Sequence, residues 1–123
     1  MVFFMQVHLR PHVKVRKALT LIHGIGWHVS NMLCDQLGLG VHTCVKHVRR
    51  LQWELLARRI SQYYVTGHEL SRVVEDNTAR FVSISAYKGF RFMQGLPVRG
   101  QRTHTNAKTT RKKKKPVLRK HHA

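Results

Sequence analysis

Residues 14–40 read KVRKALTLIHGIGWHVSNMLCDQLGLG, and this stretch decides the fold. Val15, Ala18, Leu19 and Ile22 recur at i, i+3, i+4 and i+7, the spacing that puts side chains on one face of a helix. Residues 14–23 are therefore predicted helical, with Lys14, Arg16 and Lys17 mostly off the apolar face. His23-Gly24-Ile25-Gly26 follows, and two glycines around one apolar residue permit a tight turn from one helix into the next. Val29, Met32, Leu33 and Leu37 give the second helix its apolar face, and Gly38 and Gly40 stop it. The turn also carries a chemistry. Backbone N–H groups at a glycine turn that opens a helix form an anion site. Without side chains at Gly24 and Gly26 a phosphate can come close, although a plain turn competes as a reading of the same two residues.

Working outward, Phe3, Phe4 and Val7 suggest a short extended edge, and Pro11 marks a break. On the other side, Thr43 is a candidate N-cap for a third helix over residues 45–64. Its apolar positions are Val45, Val48, Leu51, Leu55, Leu56, Ile60 and Tyr63. Trp53 reads as core or rim packing ahead of a base-stacking platform. Gly67 separates a fourth helix, residues 69–86, with Leu70, Val73, Val74, Phe81 and Ile84 on one side and Asn77 interrupting that stripe. The pattern predicts an all-α body over residues 1–94 and an extended basic tail over 95–123.

The tail begins GLPVRGQRTHTNAKT, residues 95–109, which has neither a helical nor a strand period. Pro and Gly break regular structure, leaving a ribbon of Arg, Gln, Thr, His, Asn and Lys. A folded core has no use for so many donors, whereas a surface of phosphate oxygens and 2′-hydroxyls does. Charge agrees. The chain has 123 residues and a formal net charge of +18. Residues 1–76 hold ten Lys/Arg and five acids, a net of +5; residues 77–123 hold thirteen Lys/Arg and no acid, a net of +13. That asymmetry points to a polyanionic partner gripped mainly from the C-terminal part.

The motif GLPVRGQRTHTNAKT resembles the tail of the small-subunit ribosomal protein S-thirteen family, differing at Lys108, where that family has Arg; Thr110, just after it, stands where a basic residue is usual. Ala18-Leu19-Thr20-Leu21-Ile22-His23-Gly24-Ile25-Gly26 is similar to its first helix and turn, and Tyr87, Lys88, Gly89 and Arg91 to a further Tyr-Arg-Gly-x-Arg pattern. Phe92 and Met93 stand where polar or basic residues are common, a change that suits packing on a protein neighbour. The resemblance runs from about residue 11 to 110. It implies a helix-two-turns-helix body that binds small-subunit rRNA in the subunit head. It also implies a neighbour of the S-nineteen type, bridging contact to the large subunit, and a tail reaching toward P-site tRNA. The divergent start, the scarce acids and His104 resemble mitochondrial branches; a chloroplast or bacterial origin is the alternative. The residues expected to touch RNA are Gly24, Gly26, Lys88, Arg91, Arg99, Gln101, Arg102, Thr103, His104, Thr105, Asn106, Lys108, Arg111, Lys112, Lys113, Lys114 and Lys115.

Other function classes find little support. Helix-two-turns-helix folds also occur in DNA glycosylases, but Glu75 and Asp76 are sequence neighbours and point about 100° apart on a helix, so they make no facing acid–base pair. No nucleophile elbow, phosphate-binding P-loop or His-Glu-x-x-His motif occurs. Cys34, Cys44 and His47 lack zinc-site spacing, so neither metal nor cofactor is expected, and both cysteines are expected reduced. No apolar run approaches a membrane span. The remaining alternative is a non-ribosomal architectural nucleic-acid binder.

Overall fold

A computed structural model describes residues 2–112 of the chain, which is mostly helical with one small sheet and folds as two compact units, Met1–Ser71 and Arg72–Ala123. The sheet corrects the all-α expectation. Strands β1 (Val2–Phe4) and β2 (Val7–Leu9) pair antiparallel, with Val2 opposite Leu9, Phe3 opposite His8 and Phe4 opposite Val7. The connection is Met5-Gln6, with φ of 45° and 65°. Positive φ at both positions of a two-residue loop matches the twist of the flanking strands. One face of the hairpin carries Val2, Phe4, Val7 and Leu9 and closes the core; Phe3 and His8 face the other way.

The glycine-linked helices form as expected, though the first is shorter. Helix α1 spans Val15–Leu19, after which single turns carry the chain through Ile22 to Ile25. Helix α2 spans Trp27–Gln36. Its buried stripe is Ser30, Leu33 and Cys34, and Met32 lies outside it. The reason is polar: the Ser30 hydroxyl donates to the Arg16 carbonyl at 2.6 Å, which seats this small side chain against α1. Arg16 completes the clasp by donating to Asn31 Oδ1, Asp35 Oδ1 and the Leu39 carbonyl. Its side chain is only 12% exposed, so this cation is spent on the fold. Both cysteines are free thiols, and burial pushes the Cys34 thiol up, against a smaller opposing pull from the Arg16 charge.

Thr43 is not a helix cap. Its carbonyl accepts the Val15 N–H while Val45 donates to the Val13 carbonyl, both at 3.0 Å, so residues 43–45 are held as a strap against the entry to α1. A 3₁₀ turn, Val45–His47, follows. Helix α3 spans Arg50–Tyr63, its start fixed by Gln52 Oε1 accepting the Arg49 N–H at 3.0 Å. The later start turns its face: Leu56 and Ile60 are buried, whereas Leu51, Leu55 and Tyr63 are exposed. Trp53 packs its ring 4.7 Å from that of Phe4, the packing role expected of it. The core of the first unit is therefore Leu9, Val15, Leu19, Leu33, Val45, Leu56 and Ile60, with Phe4, Ile22, Ile25 and Leu39 around them.

Helix α4 spans Gly67–Ser83 and contains no buried residue. Of the apolar stripe read from the sequence, Leu70 and Phe81 are half-buried, whereas Val73 and Val74 are about half exposed and Ile84, just beyond the helix end, more so. In the second unit a turn through Ser85, at φ 55°, leads to α5 (Tyr87–Gln94). Gly95, left-handed at φ 69°, ends α5, with its N–H on the Phe92 carbonyl and that of Leu96 on the Arg91 carbonyl. The tail is not wholly extended, because Lys108–Lys112 form a short helix, α6.

Candidate nucleic-acid interface

In the first unit the two turn glycines have different surroundings. Gly24 has φ +104°, and a Cβ there would meet Leu70 Cδ2 at 2.9 Å and the Val65 carbonyl at 3.0 Å. Its space is taken by the chain itself, and the contact is locked by the Gly67 N–H donating to the His23 carbonyl at 2.8 Å. Gly26 has nothing within 4 Å of its Cβ position. It is the N-cap of α2, with extended backbone and no side chain capping the helix. An α-helix leaves its first N–H groups without partners inside the helix, and they carry partial positive charge. The open approach to those N–H groups is at Gly26, while Gly24 makes the turn possible.

In the second unit the expected residues divide into anchored and open sets. Arg91 is half-buried: its Nε donates to the Pro97 carbonyl at 3.1 Å and its guanidinium lies 6.0 Å from the centre of the Tyr87 ring. This fastens the start of the tail to α5, and Pro97 is buried there. A guanidinium keeps further donors for a ligand. Lys88 is exposed, its ammonium 5.8 Å from the centre of the Phe81 ring.

Beyond Pro97, Arg99, Gln101, Arg102, Thr103, His104, Thr105 and Asn106 are all exposed. Left-handed backbone at Gly100, Thr105 and Ala107, with φ between 61° and 72°, bends this segment repeatedly. Ala107 is buried, and its carbonyl accepts the Arg111 N–H at 3.1 Å, so the start of α6 is seated while Lys108, Arg111 and Lys112 stay exposed. Lys113, Lys114 and Lys115 lie outside the described residues. From residue 77 to 112 there are eight Lys/Arg and no acid, so this surface holds a field of one sign. Of the two residues that depart from the family pattern, Phe92 is half-buried and Met93 exposed. Among the described residues no three His, Cys, Asp or Glu side chains group as metal ligands, and no helix is long and apolar enough to cross a membrane.

Exposed N–H groups, guanidinium and ammonium groups and short hydroxyl and amide side chains, on a mostly helical scaffold, define a class: basic proteins that bind nucleic acid by its backbone. Comparison with known proteins narrows it. Residues 4–109 match the family described as ribosomal protein S13/S18, and the chain belongs to that family. It is 44% identical over 112 residues to small ribosomal subunit protein uS13m of Marchantia polymorpha, covering 91% of this chain and 93% of that one. It is 40% identical over 117 residues to uS13m of Prototheca wickerhamii, covering 95% and 98%. The uS13 of Hydrogenobaculum sp. (strain Y04AAS1) is 38% identical over 112 residues, covering 91% and 89%.

Sequence reading missed Arg16 as a structural cation and the Met5-Gln6 turn. An alternation signal for β2 was present, since polar His8 lies between apolar Val7 and Leu9, but the alternation runs on through Gln6 and Met5 and so conceals the turn.

Proposed function

We propose that this chain is a structural constituent of the small subunit of the mitochondrial ribosome, binding its rRNA and catalysing no reaction. Its membership of the S13/S18 family and the uS13m relatives support that reading. The observation that carries it to the residues is the acid-free run of exposed donors from Arg99 to Lys112, tethered at one end by Arg91 and Pro97. In this reading α1, α2 and the turns between them act as the helix-two-turns-helix element, with a phosphate at Gly26. Residues 1–94 act as the body and 95–123 as the RNA-gripping tail. The exposed part of the α4 stripe (Val73, Val74) with Ile84 suits a protein neighbour of the S-nineteen type or a bridge to the large subunit. The tail suits a path toward P-site tRNA.

The deciding experiment is sedimentation of the tagged full-length chain with purified mitochondrial ribosomes. Cosedimentation with the small subunit, surviving a wash at moderate salt, is the expected result. Recovery in the unbound fraction, or equal binding to duplex DNA and rRNA at one salt concentration, would favour a general architectural binder.

The two glycines give a finer test. Gly26→Val is expected to keep the fold, because φ −89° and ψ 177° suit a β-branched residue and its side chain meets open space. It is expected to weaken rRNA binding roughly tenfold, about 1.4 kcal/mol, by covering the first turn of α2. Gly24→Val is expected to lower stability itself by about 2–3 kcal/mol, through left-handed strain and the contact with Leu70 and Val65. Filter binding beside a thermal melt separates the two, and a folded Gly26→Val protein with unchanged affinity removes the phosphate from this turn.

A further inference from the structure

The N-terminal hairpin carries a surface that neither the core nor the basic tail accounts for. Phe3 and His8 are direct cross-strand partners on the face turned away from the core. Their ring centres are 4.8 Å apart with planes inclined at 52°, and Phe3 is 63% exposed. A hairpin that only sealed the core would need its inner face alone, Phe4 and Leu9 with Val2 and Val7. An exposed aromatic pair in register is a platform for another ring. β2 ends at Leu9, and Arg10 and His12, in the turn that follows it, are both exposed. Residues 1–34 hold no acid, and with Arg16 taken up by Asp35 and its neighbours the exposed cations left there are Arg10, Lys14 and Lys17, Arg10 directly following β2, so the segment is positively charged.

We propose that Phe3 and His8 form a stacking site for one unpaired nucleotide of the bound RNA, with its base against the ring pair and its phosphate at Arg10. Bases from loops and bulges are commonly held by stacking on aromatic side chains, and every base has a π-face to offer. The charge of the segment selects this occupant over an apolar protein surface, because a protein partner would have to be acidic there. The site lies in the first unit and uses none of the residues expected to touch RNA from sequence. It rests on the rRNA-binding reading above.

The test uses the full-length chain and an in vitro transcript of the small-subunit rRNA. Phe3→Leu keeps an apolar side chain and removes the ring. It is expected to melt like the unaltered protein, to bind roughly tenfold more weakly, about 1.4 kcal/mol, and to leave the slope of log affinity against log salt unchanged, since stacking releases no counterion. His8→Ala should reproduce that loss, and Phe3→Trp, which keeps a ring, should bind like the unaltered protein and add an indole signal that is quenched by RNA. Arg10→Gln, by contrast, should lower the slope by roughly 0.7–0.9, one phosphate's worth. Unchanged affinity for Phe3→Leu and His8→Ala, in a preparation whose unaltered protein binds, overturns the stacking site alone and turns the platform over to a protein partner. An unaltered protein that fails to bind the transcript overturns the rRNA reading and this site together.

Discussion

Gly89→Val is expected to unfold the α4–α5 hairpin while leaving the first unit intact. Gly89 is buried in α5, and a Cβ there would lie 2.5 Å from the Phe81 carbonyl carbon, closer still to its oxygen, and 2.7 Å from Val82 Cα. All three are backbone atoms of α4, so no side chain can swing aside; the helices must separate. Separation breaks the turn between them, where Ala86 donates to the Phe81 carbonyl at 3.1 Å and Ser85 to that of Val82 at 3.0 Å. The second unit has little in reserve. Among its described residues only Gly89, Pro97 and Ala107 are buried. Overpacking of about 2–4 kcal/mol is thus comparable to what such a unit has available. Gly89→Ala should act in the same direction less severely. Hydrogen exchange is the fitting measurement: amides of α5 and of the part of α4 from residue 72 on should lose protection while those of Leu33 and Ile60 keep theirs. Unchanged protection in α5 of the valine variant would mean that the close approach of the two helices is not essential.

The same glycine shows what the sequence disclosed and what it withheld. Gly89 stood in the Tyr-Lys-Gly-Phe-Arg segment that resembles the family pattern, so its importance was legible, but its reason was not: nothing in a single sequence says that another backbone passes within contact of it. Gly24 and Gly26 were read together as a phosphate site, and only the position of Val65 and Leu70 separates a glycine required by the fold from one open to a ligand. Helical period located α2, α3 and α4, because apolar spacing is a local property. It misassigned Leu51, Leu55 and Tyr63 because the entry to α3 depends on Gln52 bonding back to Arg49 and on the strap at 43–45. It also could not say whether the stripe of α4 is covered, since periodicity reports that a face is apolar and not what lies against it. The hairpin was seen only as an extended edge because Met5-Gln6 lacks the Asn-Gly or Asp-Gly signature of a tight two-residue loop.

Removal of residues 100–123 is expected to leave a folded first unit and to abolish much of the salt-dependent part of RNA binding. The structure gives the cut a physical place. Arg91 and Pro97 are fastened to each other ahead of it, and the buried core of the first unit ends at Ile60, well before the cut. The described residues lost are exposed except for Ala107 and the half-buried Thr110, and none of them belongs to the core cluster of the first unit. It also removes nine cations: Arg102, Lys108, Arg111, Lys112, Lys113, Lys114, Lys115, Arg119 and Lys120. Each phosphate contact contributes roughly 0.7–0.9 to the slope of log affinity against log salt, so if about half of these cations touch phosphate the slope falls by roughly 3–4. At low salt the truncated chain should still bind through Gly26, Lys88 and Arg99. Near physiological salt its advantage over non-specific polyanions should vanish. Log affinity for small-subunit rRNA against log salt, measured for both chains beside their thermal melts, decides it. An unchanged slope would move the grip from the tail to the body, and loss of the first unit's melt would show that the tail is part of the fold it was expected only to decorate.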